Sequence, residues 1–147
     1  MSHAYARNHL HIVFGTKTGK KCIQGETRER LWTNLRDTAR GYGVGVVEIG
    51  GTEDHVHLLV TMPPKVSLSV LLCAAKANSS KWMNEQGHLF AWQAGYGAFS
   101  VSASKLQAVS GFIRGQGEHH RRVSFQEEFV ALLNKHGIEY TPRKIMD

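Results

Sequence analysis

The chain of 147 residues is poor in several features that define whole classes of proteins. It has only two cysteines, Cys22 and Cys73, which are too few for a disulfide scaffold and form no CxxC pair, so we expect a reducing cytoplasm. Every apolar run is far shorter than the roughly 18 residues that cross a bilayer. The first residues also lack the apolar segment of a signal peptide. We therefore expect no membrane association and a single domain over residues 1–147.

Acidic residues are scarce relative to basic ones. Twelve Asp plus Glu stand against 18 Lys plus Arg, which gives a net charge of +6 and a pI near 9.6. Such an excess favours a polyanionic partner, because phosphates that are neutralised by basic side chains release their counterions. Nine histidines are a high number for 147 residues and direct attention to a metal site.

Hydrophobic periodicity predicts four strands interleaved with helices. The first strand is marked by the alternation of Leu10, Ile12 and Phe14. We predict strands over residues 9–14, 44–49, 54–61 and 97–101, and helices over residues 26–40, 68–86, from 104 onward and from 124 to 136. This order predicts an α+β fold in which helices pack on a largely antiparallel sheet.

Serines mark the starts of three of these helices. Ser67 is the expected N-cap of the long second helix. Ser104 with Gln107, and Ser124 with Glu127, fit the capping-box spacing, in which a Ser hydroxyl and a Glu or Gln side chain three residues later cap each other's backbone N–H.

Two His-x-His pairs carry the clearest chemical signal. His55 and His57 lie in the middle of the third strand, where alternation places both imidazoles on one face and both can contact one cation. His9 and His11 on the first strand have the same spacing, so spacing alone does not choose between the pairs. The alternative interpretation is a pair of solvent-facing histidines, or histidines satisfied by hydrogen bonds in the core.

The helix after Ser104 carries a second cluster. Phe112 and Gln116 are four residues apart and therefore neighbours on one side of the helix, with His119 and His120 one turn further on. Three glycines in this segment, each of which costs about 1 kcal/mol relative to alanine in a helix interior, predict a helix that is weakly held, mobile or closely approached by another element. They are Gly111, Gly115 and Gly117.

Four segments stand in a recognisable order: residues 54–60 (DHVHLLV), 76–84, 92–101 (WQAGYGAFSV) and 112–120 (FIRGQGEHH). In order and spacing they resemble the single-tyrosine HUH transposases of small bacterial insertion sequences and the related REP-associated tyrosine transposases. The resemblance covers residues 9–140. It implies a ferredoxin-like or RRM-like sandwich whose four-stranded sheet continues across a homodimer. Each active site would combine the HUH pair of one subunit with the tyrosine helix of the other.

The resemblance also implies a metal site and a substrate. His55 and His57 match the HUH pair that binds Mg²⁺ or Mn²⁺, and Gln116 matches the glutamine that completes the protein ligands. The ion polarises the scissile phosphate of single-stranded DNA. A closed structural zinc site would normally use cysteines, and neither cysteine is near these residues in the sequence.

The chain departs from the family at its most important position. The nucleophilic tyrosine, which forms a 5′-phosphotyrosine in the family, lies four residues before the glutamine, and that position is Phe112 here. A phenyl ring has no oxygen, so we expect no strand cleavage. The substitution is either engineered or a natural loss, and the sequence leaves both open. Tyr96 is the first substitute nucleophile to test.

The expected DNA contacts are basic and polar side chains on two helices, and Trp92 or Tyr96 for stacking on an unpaired base. The family binds hairpins that flank the mobile element, so the expected partners are single-stranded hairpin DNA and a second copy of the chain. The expected location is the bacterial cytoplasm, with nucleoid association when the protein is bound to DNA. The candidate contacts are Lys76, Asn78, Ser80, Lys81, Arg114, Arg121 and Arg122.

Two other functions remain open on the sequence. The protein can be a domesticated or regulatory relative that binds hairpin DNA without cutting it. It can also be a metal-dependent hydrolase that activates water at His55 and His57, although Asp54 is then the only obvious nearby general base in the sequence.

Overall fold

The computed structural model describes residues 5–147. No helix among these residues has both the length and the apolar character needed to cross a membrane. The predicted strands and helices are confirmed, with shifts of one or two residues at most of their ends. The strands are β1 (His9–Gly15), β2 (Gly45–Gly51), β3 (His55–Thr61) and β4 (Gly97–Val101), and the helices are α1 (Gly25–Gly41), α2 (Leu68–Glu85), α3 (Leu106–Arg114), α4 (Gln116–His119) and α5 (Phe125–Lys135).

The four strands form one sheet in the order β2-β3-β1-β4, and every neighbouring pair is antiparallel. The α+β prediction with a largely antiparallel sheet is therefore confirmed. The central strands β1 and β3 are buried on both faces, whereas β2 at the edge is mostly half-buried or exposed and contains a bulge between Val46 and Glu48. The continuation of the sheet into a second subunit remains a prediction.

Helices cover both faces of the sheet. Even-numbered residues of β1 and β3, such as Ile12 and Val56, pack with α1 and α2 in the larger core. On the opposite face, Val13 of β1 and Phe99 of β4 pack with α5 in a smaller core. The smaller core leaves room on its face of the sheet for buried polar side chains.

The capping predictions have different outcomes. The Ser67 hydroxyl accepts a hydrogen bond from the Val70 N–H at 3.2 Å, and Ser124 with Glu127 forms the full capping box of α5. The Ser104 capping box was wrong: a 3₁₀ turn occupies Ala103–Lys105, so α3 begins at Leu106, and the Ser104 hydroxyl lies 3.1 Å from that of Ser102. The tight turn carries Ser104 into the helical path, where it no longer occupies the N-cap position.

α3 lies directly on β2 of its own chain. Gly50 makes this possible, because a Cβ there would lie 2.7 Å from the Ile113 carbonyl oxygen. The Ser110 hydroxyl donates to Glu48 Oε2 at 2.7 Å and helps to hold the helix in place. The helix is interrupted at Gly115, after which α4 begins with Gln116. The close approach that the helix glycines predicted therefore occurs instead at Gly50 of the sheet.

Candidate metal centre and nucleic-acid interface

One face of the sheet carries both His-x-His pairs. Val13 lies opposite His57 in the antiparallel register, so the odd-numbered residues of β1 and β3 share this face. His55 and His57 are fully buried there, and His9 and His11 are nearly so. The two imidazoles of β3 therefore point in the same direction, toward the side covered by α3, α4 and α5.

His55 is held between an acidic residue and an amide. Its Nδ1 lies 2.7 Å from Asp54 Oδ1, and its Nε2 lies 2.7 Å from Gln116 Oε1. Burial by itself raises the pKa of Asp54, but the hydrogen bonds from His55 and Thr52 and the nearby imidazoles together outweigh burial, and the pKa falls below its usual value. When Nδ1–H donates to Asp54, the Nε2 lone pair faces the lone pairs of the Gln116 oxygen. A hydrogen on Nε2 or a shared cation is needed between these two atoms.

His57 contacts both the helix α5 and the neighbouring strand β1. Its Nε2 lies 2.7 Å from Glu128 Oε1, and its Nδ1 lies 2.7 Å from His11 Nε2. Burial lowers the pKa of His57 to about 4 and that of His11 to about 3, so both imidazoles are neutral at neutral pH. Each neutral ring carries one N–H, so one of the two facing nitrogens can donate a hydrogen bond and the other can accept it.

Glu128 of α5 is a buried carboxylate at the centre of the cluster, with 3% of its surface exposed. Its Oε2 accepts from Gln116 Nε2 and lies 2.9 Å from His120 Nε2. His119 Nε2 also approaches to 3.0 Å, but without hydrogen-bond alignment. Burial alone raises the pKa of Glu128, and the hydrogen bonds from His120 and His57 overcome it and hold the pKa well below its usual range. The carboxylate is therefore ionised.

His120 provides the positive charge that faces this carboxylate. Its Nδ1 donates to the Val123 carbonyl at 2.6 Å, and its Nε2 lies between Gln116 Oε1 at 2.8 Å and Glu128 Oε2 at 2.9 Å. All three partners are acceptors, so both ring nitrogens need a hydrogen. Burial lowers the pKa of His120, but the hydrogen bond and charge of Glu128, together with the Val123 carbonyl and the charge of Asp54, outweigh burial and the net shift is upward.

Phe112 lies at the edge of the cluster. Its half-buried ring is 5.6 Å from the His57 ring and 5.3 Å from the His119 ring, centroid to centroid, with edge-on geometry in both pairs. The position of the family's nucleophile is thus beside the HUH pair of the same chain. The exchange of this helix between two subunits remains a prediction.

The donor atoms fit a divalent cation. His55, His57, His120 and Glu128 offer one atom each, all within 4.8 Å of one another, and residues 5–147 contain no other such group. Two imidazole nitrogens, a carboxylate oxygen and the Gln116 amide oxygen are suitable ligands for an ion such as Mn²⁺. Ligands at right angles around an ion at about 2.1 Å are about 3.0 Å apart. The corresponding separations here are 2.7 to 3.6 Å.

Two cavities with basic residues in their walls border the cluster. A cavity of about 650 Å³ lies against His11 and Phe112, with Lys105 and Lys135 in its wall. A second cavity of about 300 Å³ lies against Asp54 and His120, and its basic residues are Lys21, Arg28 and Arg121. These cavities give a polyanion two approaches to the buried imidazoles.

The predicted DNA contacts on α2 lie on the face of the sheet opposite to the histidines. Lys76 Nζ donates to three backbone carbonyls at 2.7 to 3.1 Å, those of Gln93, Ala94 and Gly95. Burial lowers the pKa of Lys76 to about 8, so it remains mostly protonated at neutral pH and its three hydrogens satisfy these carbonyls. Lys76 therefore holds the loop before β4 and has no free donor for a phosphate.

The other residues of that set differ in how strongly they are engaged. The Asn78 amide lies 3.5 Å from the Thr38 hydroxyl, and the Ser80 hydroxyl donates to the Phe90 carbonyl. Lys81 is exposed. This helix therefore offers an exposed lysine and a partly engaged asparagine, on the far side of the sheet from the metal cluster.

The predicted arginines lie near the cluster. Arg114 Nη1 is 3.0 Å from Glu48 Oε2 while most of the side chain stays exposed. Arg121 forms an exposed ion pair with Glu118 at 3.3 Å, and Arg122 is exposed. Exposed ion pairs contribute little to stability, so these side chains are free to exchange a carboxylate for a phosphate.

Sequence reasoning missed Glu128 and left His120 without a role. A signal for Glu128 was present, because a helix that begins at Phe125 buries positions 125, 128, 129 and 133, and Glu128 is the charged residue of that stripe. A buried charge in an apolar stripe indicates a partner of opposite charge or a metal. The partners of His120 are close to it in the sequence, at Gln116, Val123 and Glu128, but the turn between α4 and α5 that brings them together has no periodic signal.

A buried His-x-His pair on a central strand of an antiparallel sheet, with helix-borne oxygen donors and basic cavities beside it, is an arrangement that could hold a divalent ion next to a bound polyanion. The model of the family "Transposase IS200 like" matches residues 4–116. The chain therefore belongs to this family of transposases, and the sequence resemblance is confirmed at the level of the family.

Relatives in curated collections agree with this assignment. The chain is 34% identical over 76 residues to the transposases for insertion sequence element IS200 of Salmonella typhimurium and Salmonella typhi, which is 52% of this chain and 50% of theirs. It thus spans about half the length of these curated relatives. It is 27% identical over 116 residues to the ISDra2 transposase TnpA of Deinococcus radiodurans, covering 72% of this chain and 81% of that one.

Two solved structures share the fold. A crystal structure assigned as a transposase from Deinococcus radiodurans R1 superposes with a TM-score of 0.64 at 23% identity, over 79% of this chain and 96% of that chain. A REP-associated tyrosine transposase bound to a REP hairpin superposes with the same TM-score of 0.64 at 12% identity, over 84% of this chain and 74% of that chain. At these identities the likeness establishes the α+β fold alone.

Proposed function

We propose that this protein binds hairpin-forming single-stranded DNA and a divalent ion, Mg²⁺ or Mn²⁺, and does not form a covalent bond to DNA. Membership of the IS200-like transposase family, the basic surface and the buried donor cluster support the DNA and metal parts of this proposal. The REP-associated transposase that superposes on the chain is bound to a hairpin, which supports a hairpin as the ligand here. A homodimer in the bacterial cytoplasm, bound to the nucleoid through DNA, completes the proposal.

The observation on which this proposal rests is the phenylalanine at position 112. It lies four residues before Gln116, on the helix that leads into that ligand, and its ring centre is 5.6 Å from the His57 ring. A side chain at this position is well placed to meet a phosphate held at the imidazoles. A phenyl ring has no oxygen with which to attack phosphorus, so the chain lacks the nucleophile of a phosphotyrosine mechanism.

The residues around Phe112 have positioning roles that do not require that nucleophile. His55, His57 and Gln116 would hold the ion, which when bound supplies positive charge to a phosphate oxygen. Asp54 and His11 fix the orientation of the two imidazoles through their Nδ1 atoms. Arg121, in the wall of the smaller cavity, is placed to contact the DNA backbone.

The test compares the unsubstituted chain with Phe112→Tyr on a 5′-labelled and a 3′-labelled hairpin single strand in Mn²⁺. Protein-linked label is measured on a denaturing gel, and DNA affinity is measured separately by fluorescence anisotropy. Phe112→Leu is the matched control without an oxygen, and Phe112→Tyr combined with His57→Ala is the control without a complete metal site. We expect the unsubstituted chain and Phe112→Leu to bind the hairpin and form no adduct.

Each outcome separates the candidate functions. A protein–DNA adduct with the unsubstituted chain would contradict the proposal and would direct attention to Tyr96. An adduct with Phe112→Tyr that disappears in the double variant would mean that the scaffold is otherwise competent. Hairpin binding by all variants with no adduct in any would favour the second candidate, a regulatory DNA-binding protein. A free 5′-phosphate product would indicate a hydrolase.

A further inference from the structure

Glu128 places a carboxylate inside the histidine cluster, and the ligand set implied by the family has no place for it. We propose that Glu128 is a fourth protein ligand to the same divalent ion, in addition to His55, His57 and Gln116. This inference rests on the metal part of the proposed function. It extends that part to a residue of α5, outside the matched family segment of residues 4–116.

The position of one carboxylate oxygen carries the inference. Glu128 Oε1 lies 2.7 Å from His57 Nε2 and 3.6 Å from His55 Nε2, which are the two nitrogens that must point at the ion. These separations bracket the distance of about 3.0 Å between neighbouring ligands of a six-coordinate ion. An ion that contacts both imidazoles therefore lies within reach of this oxygen as well.

The second oxygen keeps the carboxylate in place. Glu128 Oε2 accepts from Gln116 Nε2 at 2.9 Å, which turns the amide oxygen of Gln116 toward His55. One carboxylate therefore supplies a donor to the ion and orients another. Without the ion, hydrogens on the imidazoles occupy this space, since His57 donates from Nε2 to Glu128. A neutral imidazole keeps one hydrogen when it binds a metal through Nε2, so metal binding requires the His57 hydrogen to move to Nδ1, where it faces His11 Nε2.

A carboxylate ligand changes which divalent ion the site binds more strongly. It contributes a negative charge that two imidazoles and an amide lack, so the DNA-free protein should bind its ion without help from a phosphate. A mixture of imidazole and carboxylate donors suits Mn²⁺ better than Mg²⁺, which prefers oxygen donors and keeps several waters. We therefore expect stronger binding of Mn²⁺ than of Mg²⁺ in the absence of DNA.

The test measures Mn²⁺ binding to the DNA-free protein by isothermal titration calorimetry and by electron paramagnetic resonance. Glu128→Gln retains the reach of the side chain but removes its charge, and Glu128→Asp retains the charge but shortens the reach. Glu127 is the matched control, because it is exposed, and Glu127→Gln preserves its capping-box role at the start of α5. His57→Ala is the control for the metal site itself.

A ligand role requires that both Glu128 variants lose at least about tenfold in Mn²⁺ affinity, while Glu127→Gln is unchanged. If Glu128→Asp binds Mn²⁺ as tightly as the unsubstituted chain, the carboxylate acts only by its charge. If Glu128→Gln binds Mn²⁺ as tightly as the unsubstituted chain, the residue acts only as a hydrogen-bond partner. Either result would overturn the inference. If His57→Ala also leaves Mn²⁺ binding unchanged, the metal part of the proposed function fails together with the inference about Glu128.

A measurement on the unsubstituted chain does not depend on whether the variants fold. Protein that carries ¹³C-labelled glutamate is loaded with Mn²⁺ and examined by electron–nuclear double resonance. A directly bound Glu128 carboxylate gives a ¹³C coupling to the ion, because the coupling reports the bond between the carboxylate and the metal. Absence of this coupling in protein that binds Mn²⁺ would overturn the inference.

Discussion

The buried contact between His11 and His57 supports a quantitative prediction. His11 Nε2 lies 2.7 Å from His57 Nδ1, and this contact is the one that orients the Nδ1 side of the ring. Partners of this kind fix the orientation of a metal-binding imidazole, and their loss typically weakens metal binding about 10- to 100-fold. His11→Ala should therefore weaken Mn²⁺ binding by this factor, which corresponds to about 1.4 to 2.7 kcal/mol.

The matched control is His9→Ala. His9 lies on the same strand and the same face as His11, and is buried to a similar extent, but its Nδ1 bonds to the Thr61 hydroxyl at 3.0 Å. Titration calorimetry of both variants with Mn²⁺ should show weakened binding for His11→Ala and unchanged binding for His9→Ala. Equal affinities for the two variants would refute the reasoning, because the contact with His57 is what distinguishes them.

Three further predictions concern stability and are checked by thermal unfolding. Gly117 lies in α4 with open space around the position of an added Cβ, so Gly117→Ala should stabilise the fold by about 0.4 to 1 kcal/mol and raise the Tm by about 1 to 4 °C. Gly137→Ala should lower the Tm, because Gly137 follows α5 with a φ of +65°. Lys76→Met should destabilise by about 2 kcal/mol because three carbonyls lose a charged donor, whereas exposed Lys81→Met should have little effect. A stabilising Gly137→Ala, or a neutral Lys76→Met, would contradict the corresponding structural explanation.

The strands and most helices were predictable because their signals are local. The alternation of Leu10, Ile12 and Phe14 reflects one buried face of β1, and the structure places these residues in or against the larger core. The Ser124–Glu127 capping box is equally local, since both partners lie within one turn. The same pattern at Ser104 gave a wrong prediction of a capping box, because Ala103–Lys105 form a 3₁₀ turn that no short sequence pattern specifies.

The metal cluster was only partly predictable, because its contacts join distant parts of the chain. The His-x-His spacing placed His55 and His57 on one face, and the family resemblance drew attention to Gln116. The partners of Glu128, by contrast, come from β3 and α4, so its role depends on how α5 packs across the sheet. For the DNA contacts, the sequence indicated a role that the structure does not support. Lys76 is basic in the sequence, but its hydrogen-bond donors are used inside the fold.

The sequence by itself determined the family, the strand and helix pattern, the common face of His55 and His57, and the missing oxygen at Phe112, because each is a property of residue type or of local spacing. Only the tertiary structure decided that His11 supports His57 and that a buried carboxylate from α5 enters the cluster. These contacts arise from sheet register and from the packing of one layer on another. They join residues 46 and 71 positions apart, beyond the range of any periodic signal.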